Sequence, residues 1–198
     1  MTDPLAPILR ALSQTGRASS DYDLNPETKL PEGRPLRAAG VLVAFRDGPN
    51  GAELLLTKRS SALRHHPGQI AFAGGKVDPN DDGPIAAALR EAHEEVGLDP
   101  AIVEVLGTLP PHETVTGFLV TPVLARITAP FIPIAEIGEV DEVFFVPMNH
   151  VLRAENFGIE GRQWRGAIRR YYTVPYGPYY IWGATARILR ALADRCAP

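Results

Sequence analysis

Cysteine is nearly absent from this chain: Cys196 is the only one in 198 residues, so no disulfide can close within it and nothing points to an oxidising compartment. An excess of charge of one sign is also missing. The 20 Lys and Arg against 23 Asp and Glu leave a formal net charge of -3, which argues against general nucleic-acid binding through long-range electrostatics. No apolar run approaches the length of a membrane span. The amino terminus carries Asp3 early and Arg10 inside its apolar segment, unlike a signal peptide, and Cys196-Ala197-Pro198 is not the Ser-Lys-Leu peroxisomal address. The expectation from these absences is a cytoplasmic protein with neither a nucleic-acid nor a membrane partner. Internal repeats and low-complexity segments are missing too. What remains, 45% hydrophobic and 22% charged residues, is the composition of an ordinary folded chain with one sizeable core. The expected organisation is an N-terminal helix and arm over residues 1–35, packed on a single domain over residues 36–198.

The most informative stretch runs from Phe72 to Leu98. Ile85, Leu89, Ala92 and Val96 recur at helical spacing and predict a buried stripe. Glu91, Glu94 and Glu95 then fall within roughly 100° of one another on the far side. That grouping is unfavourable for an isolated helix. Glu91 and Glu95 are a like-charge i,i+4 pair, and Gly97, as the residue just past the end, leaves Glu94 and Glu95 in a last turn that disfavours anions. A solvated acidic face would be the ordinary explanation. The entry loop favours another: Gly74 and Gly75 allow a tight path near a ligand, and Asp78 to Gly83 are turn formers, with Asp82 or Gly83 as the cap and Pro84 in the first turn. Clustered carboxylates beside such a loop suit a hard cation, Mg²⁺ or Mn²⁺, whose binding removes their repulsion.

Arg90, Glu91, Ala92, His93, Glu94, Glu95, Val96, Gly97 and Leu98 resemble the C-terminal half of the Nudix hydrolase signature, in which a glycine loop leads to Arg-Glu-U-x-Glu-Glu-x-Gly-U (U, aliphatic). The resemblance implies an α/β (α+β) fold, a Nudix-type α/β/α sandwich with a mixed sheet and the loop-helix. It implies divalent metal on Glu91, Glu94 and Glu95, and Arg90 bracing the loop through its acidic residue. Asp82 stands where that residue is usually Glu, and the loop is one residue longer than the common spacing. Leu55-Leu56-Thr57-Lys58-Arg59-Ser60, then Arg64, Gly68 and Phe72-Ala73-Gly74-Gly75, are similar to the additional signature of the coenzyme A pyrophosphatase branch, with Ala73 in place of its proline. Ile181-Trp182-Gly183-Ala184-Thr185-Ala186 also looks like the end of that branch, although core packing by Trp182 explains it as well.

The function this resemblance implies is metal-dependent hydrolysis of the pyrophosphate bond of coenzyme A or its thioesters, giving adenosine 3′,5′-bisphosphate and 4′-phosphopantetheine or its acyl derivative. The alternatives are a Nudix hydrolase of another nucleoside diphosphate derivative, such as ADP-ribose or NADH, and a non-hydrolytic nucleotide-sensing module. Arg59, Arg64, Gly74 and Gly75 are the expected substrate contacts, guanidinium forks being suited to phosphate oxygens. For the general base the expectation is Glu94 or Glu139, with Glu142 and Glu113 as further loop acids. His65 and His66 are set aside as metal ligands because a hard ion prefers oxygen.

Elsewhere the pattern predicts a helix over Pro4–Ser13 on Leu5, Ile8, Leu9 and Leu12, and an irregular arm from Gln14 to Pro35 that leaves a homodimer open. Ala38–Phe45 and Glu53–Lys58 form a predicted hairpin, and Ile70–Phe72, Ile102–Leu109 and Glu142–Val146 read as strands. Gly117–Ile127 is a strand in which Pro122 predicts an edge or a bulge. A hairpin over Gly161–Val174 carries Arg162, Arg165, Arg169 and Arg170, a solvated face or a grip for a 3′-phosphate. A closing helix spans Ile181–Asp194.

Overall fold

The computed structural model describes residues 3–28, 33–164 and 166–197; Arg165 of the arginine-bearing hairpin and residues 29–32 of the arm lie outside them. Helix α1 (Ala6–Ser13) buries Ile8 and Ala11 and leaves Leu9 exposed, so its apolar face is rotated from the expected one. The pair Ser19–Ser20 is β1. Then β2 (Arg37–Gly48) turns tightly into β3 (Gly51–Arg59), followed by β4 (Ile70–Ala71) and β5 (Ala73–Lys76). After α2 (Gly83–Val96) come β6 (Val103–Thr108), β7 (His112–Glu113), β8 (Phe118–Ile127) and β9 (Val140–Pro147). The short α3 (Met148–Leu152), the hairpin β10 (Gly158–Trp164) with β11 (Ala167–Thr173), and α4 (Gly183–Cys196) complete the chain.

Among the described residues β1 to β9 form one mixed sheet. β2 pairs parallel with β8 and antiparallel with β3 and β5; β9 flanks β3, while β6 and β7 flank β8. Both faces of β2 are apolar and both are covered, as expected of a central strand. Leu42 and Ala44 meet Ala88, Ala92 and Val96 of α2 on one face. Val43 and Phe45 join Ile8, Ile188, Leu189 and Leu192, from α1 and α4, on the other. The result is an α/β/α sandwich. Each Leu, Ile, Val or Phe so buried contributes roughly 1.5–3 kcal/mol relative to exposure. The approach of α2 to the sheet depends on Gly40, where a Cβ would lie 1.9 Å from the Pro84 carbonyl oxygen.

Pro122 occupies neither an edge nor a bulge. It lies inside β8 opposite Val41, and its carbonyl accepts the Leu109 N–H at 3.0 Å. Its nitrogen therefore faces the same side, where Pro110 and Pro111 separate β6 from β7, and the ladder to β2 loses nothing. The stripe expected on α2 is also shifted. Ile85 is 40% exposed, and the buried positions are Ala87, Ala88, Ala92, Glu95 and Val96. The small alanines face the sheet, which lets the helix lie close to β2.

Candidate active site

The site begins where β5 runs beneath α2. Gly74 pairs with Val41 of β2 at a φ of 156°, and a Cβ there would lie 2.4 Å from the Gly40 carbonyl oxygen. A Cβ on Gly75 would meet the Glu91 carboxylate at 2.3 Å. Only glycine lets the strand and the carboxylates approach this closely. Pro84 starts α2 just behind Asp82, and Gly97 ends it in the left-handed conformation, its N–H donating to the His93 carbonyl at 3.0 Å.

The three signature glutamates, Glu91, Glu94 and Glu95, have three different environments. Glu95 is 5% exposed and accepts the Gly74 N–H at 3.2 Å. Burial pushes its carboxyl up to about 7; the Gly74 N–H and Arg59 pull downward, while Glu91 and Glu139 add to the rise. Glu91 is half-buried, and burial raises it as well, against the pull of Arg90. Glu94 is exposed and takes the Arg90 guanidinium at 2.9 Å. The three therefore do not share one solvent face: the helix is rotated so that Glu95 turns inward and Glu94 stays out.

A cavity of about 430 Å³ opens here, with Glu91, Glu95 and Glu139 on one side of its lining and Arg59 and Lys76 among them. The Arg59 Nε is buried with no hydrogen-bond partner among the described residues. Leu63, Thr114 and Phe118 contribute to the lining too. Of the expected substrate contacts, Arg59, Gly74 and Gly75 line the cavity. Arg64 does not: it is exposed on the Ser60–Gly68 loop. Of the candidate bases, Glu139 lines the cavity. Glu94 is held by Arg90, Glu113 pairs with Arg34, and Glu142 accepts the Tyr179 hydroxyl at 2.5 Å.

The bracing contact also differs from the expected one. Arg90 grips Asp81, not Asp82, with Nε to Oδ1 and Nη2 to Oδ2 both at 3.0 Å. Asp82 is the residue at the helix cap, and the extra loop residue moves the acid that faces Arg90 back by one position. Arg90 also reaches the Lys76 carbonyl, Glu91 and Glu94; Asp81 first and then Glu91 raise its pKa, against its burial. His65 and His66 lie in a turn rather than a strand, His66 with a φ of 57°.

Among the described residues no three His, Cys, Asp or Glu groups are close enough to share an ion. The donor chemistry nevertheless fits a hard cation. Every candidate ligand is a carboxylate; the Glu139 charge adds to the raised pKa of both Glu91 and Glu95, and the Glu91 charge to that of Glu95, a repulsion that a divalent ion removes. Lys76, immediately after the glycines, was a signal available in the sequence. Leu63, Thr114 and Phe118 had none, because their place depends on contacts distant in the chain.

Comparison with known proteins agrees with this geometry. The model of the NUDIX domain matches residues 34–164. The chain is 47% identical over 159 residues to a protein of Enterobacter sp. (strain 638) described as the uncharacterized Nudix hydrolase NudL, covering 79% of this chain and 81% of that one. Its match to the protein of the same description in Escherichia coli (strain K12 / DH10B) is 46% identical over 158 residues, with the same coverage. Among solved structures, the Nudix hydrolase RenU of M. smegmatis aligns with a TM-score of 0.50 at 25% identity, over 61% of this chain and 83% of its own. A NUDIX hydrolase of Alicyclobacillus acidocaldarius aligns at 0.50 and 20%, over 82% and 93%, a likeness of fold alone.

Proposed function

Since the chain belongs to the Nudix family, a family of pyrophosphohydrolases of nucleoside diphosphate derivatives, we propose that its substrate is coenzyme A or one of its thioesters. The observation that carries this reading is Arg59. It belongs to the Leu55–Gly75 segment that resembles the coenzyme A branch, and its unpartnered Nε is buried against the same cavity as Glu91, Glu95 and Glu139.

In this reading Arg59 and Lys76 bind the diphosphate oxygens, and the backbone at Gly74 and Gly75 lets the diphosphate approach. Nudix hydrolases generally need Mg²⁺ or Mn²⁺; here Glu91 and Glu95, which line the cavity, would hold the ion, joined by Glu94 once it turns from Arg90, and the ion would supply charge neutralisation at the phosphoryl oxygens and a lowered water pKa. Glu139 is the general base, the one candidate on a later loop that lines the cavity. It takes a proton from the attacking water as the new P–O bond forms. The bridging P–O bond breaks, and its electron pair leaves on the other phosphate. The products are adenosine 3′,5′-bisphosphate and 4′-phosphopantetheine, or its acyl form.

The test is product release from coenzyme A, acetyl-coenzyme A, ADP-ribose and NADH with Mg²⁺ or Mn²⁺, followed by chromatography. Adenosine 3′,5′-bisphosphate released with the highest kcat/KM from the coenzyme A pair is the expected result. Activity on coenzyme A no better than on ADP-ribose or NADH would overturn the substrate assignment.

A further inference from the structure

The cavity spans β2: Gly74 to Lys76 of β5 lie on the glutamate side of that strand, and across it lies the turn from Glu113 to Phe118, which contributes Thr114 and Phe118 to the lining. The turn has bonds of its own: Thr114 N–H to the Phe118 carbonyl at 2.9 Å, and Phe118 N–H to the Thr114 hydroxyl at 3.0 Å. Those bonds define its shape. The paired strands β7 and β8 carry it, and further contacts place it from outside the hairpin. Asp21 accepts the Val115 N–H at 3.0 Å on one carboxylate oxygen and faces His112 Nε2 at 3.3 Å with the other. Arg34 pairs with Glu113, and Arg37 donates to the Thr116 carbonyl at 3.3 Å and lies 4.0 Å above the Phe118 ring. Every one of these anchors comes from residues 21–37.

The same arm is latched at its other side. Arg169 of β11 approaches Asp21 at 3.4 Å, Asn25 exchanges hydrogen bonds with the Arg170 backbone at 3.0 and 2.8 Å, and Asp23 pairs with Arg187 of α4 at 2.6 Å. Residues 21–28 and β11 with α4 lie outside the span matched by the family model. Asp21 is thus the point where segments outside the matched span meet the substrate wall. Its side chain is 9% exposed; burial pushes its carboxyl up, but His112, the Val115 N–H and Arg169 together outweigh that and hold it below the ordinary value. It stays an anion where only its partners justify one. His112 is itself fully buried, and its Nδ1 lies 3.0 Å from the Ser19 hydroxyl, so the network does not open to solvent.

We infer that Asp21 is a positioning residue for substrate binding, holding the Thr114–Phe118 wall at its distance from the glutamates through Val115 and His112. The inference rests on the reading of this cavity as the hydrolytic site. It makes the N-terminal arm part of the substrate site rather than a staple on the fold.

The test is Asp21→Ala in the full chain, with KM and kcat measured on both coenzyme A and ADP-ribose in Mg²⁺, and amide hydrogen exchange followed without substrate. Expected are a KM raised about tenfold with kcat within about twofold, since uniform binding is what is lost. Faster exchange confined to residues 114–118, with the β2 and β8 amides unchanged, should accompany it. Asp21→Asn, which retains an oxygen for the Val115 N–H, should return KM to within about threefold of the parent. Asp21→Ser, too short to reach Val115, replaces the alanine variant if that one does not fold. Turnover of ADP-ribose but not coenzyme A would remove the substrate proposal and still read out the wall. If neither is hydrolysed, the exchange pattern decides alone. Folded Asp21→Ala with the parent KM, or exchange that quickens throughout the chain and not at the turn, would overturn the inference.

Discussion

The two walls of the cavity are held in opposite ways. On the glutamate side the contacts are short in sequence: Gly74 reaches Glu95 across 21 positions, Arg90 reaches Asp81 across nine, and Arg90 meets its own neighbour Glu91. On the other side the turn is held across 94 positions by Asp21 and across 79 by Arg34 and by Arg37. The first wall is one loop and one helix that carry their own bracing and can be reused intact. The second is assembled from parts that meet only when the sheet has formed. A motif can encode the first kind; the second is where a chain can acquire its own substrate preference without touching the chemistry.

That contrast can be broken most sharply at Glu139, which belongs to neither wall's internal bracing and yet lines the cavity. Glu139→Gln should lower kcat by about 10³-fold, within the range for loss of a general base, with little change in KM. Glu142→Gln, whose carboxylate accepts the Tyr179 hydroxyl, should stay within about twofold. Rapid-quench turnover with Mn²⁺ separates the two. Equal losses in both variants would remove the basis for choosing Glu139.

Much of the glutamate wall could be read from sequence because its physics is local. Pro84 and Gly97 mark where α2 starts and stops, and the glycine pair marks a close approach. The rotation of α2 was not legible. Ile85, Leu89, Ala92 and Val96 make a convincing stripe, but three consecutive alanines after Ile85 leave a smooth face, and close packing on Gly40 favoured that face over Ile85. The rotation carries Glu95 inward and Glu94 outward, a difference that periodicity cannot show for neighbouring residues. Pro122 misled for a related reason: its missing donor matters only on the side its nitrogen faces, which is the break between β6 and β7 and not the ladder to β2. The far wall offered no local signal, since Thr114 and Phe118 look like any turn until Asp21 is placed beside them.

The buried carboxylate sharpens the comparison from the side of stability. The folded-state pKa of Glu95, about 7, lies above its ordinary value of 4.5, so folding takes up a proton. Stability from this group is fully present below pH 4.5 and is lost as pH rises through 7, a difference of about 3 kcal/mol in metal-free protein. Glu95→Gln removes that dependence. In the presence of a chelator its melting temperature should exceed the parent's by several degrees at pH 8 and match it near pH 4. Turnover should fall by about 100-fold or more, since even partners that only orient metal ligands are worth 10–100-fold. Thermal scans of both proteins at the two pH values check the first claim; a gap between variant and parent no larger at pH 8 than at pH 4 would contradict the burial argument.

Arg59 and Arg64 give the next step down. A charged hydrogen bond to phosphate is worth about 1.5–3 kcal/mol, so Arg59→Ala should reduce kcat/KM by about 10- to 100-fold. Arg64→Ala, altering an exposed side chain away from the cavity, should stay within about twofold. Steady-state kinetics on one substrate compares them directly, and a larger effect at Arg64 would extend the site onto the Ser60–Gly68 loop.

The smallest effect expected is at the brace, and it tests whether the glutamate wall is as self-contained as its short contacts imply. Asp81 holds Arg90 through two parallel bonds, and Arg90 in turn fixes Glu91 and Glu94 and reaches the Lys76 carbonyl. Without Asp81 the guanidinium keeps those other partners, with Asp78 still 3.8 Å away, so the wall loosens without collapsing. Asp81→Ala should therefore lower kcat several-fold and leave KM nearly unchanged, because the carboxylates are misplaced while the far wall still binds. Asp82→Ala removes a cap residue whose side chain makes no capping bond and should leave both constants at the parent values. Reversal of that order would mean that Arg90 exchanges Asp81 for Asp82 in the working enzyme. The one-residue extension of the loop would then be a choice between two braces rather than a shift of one.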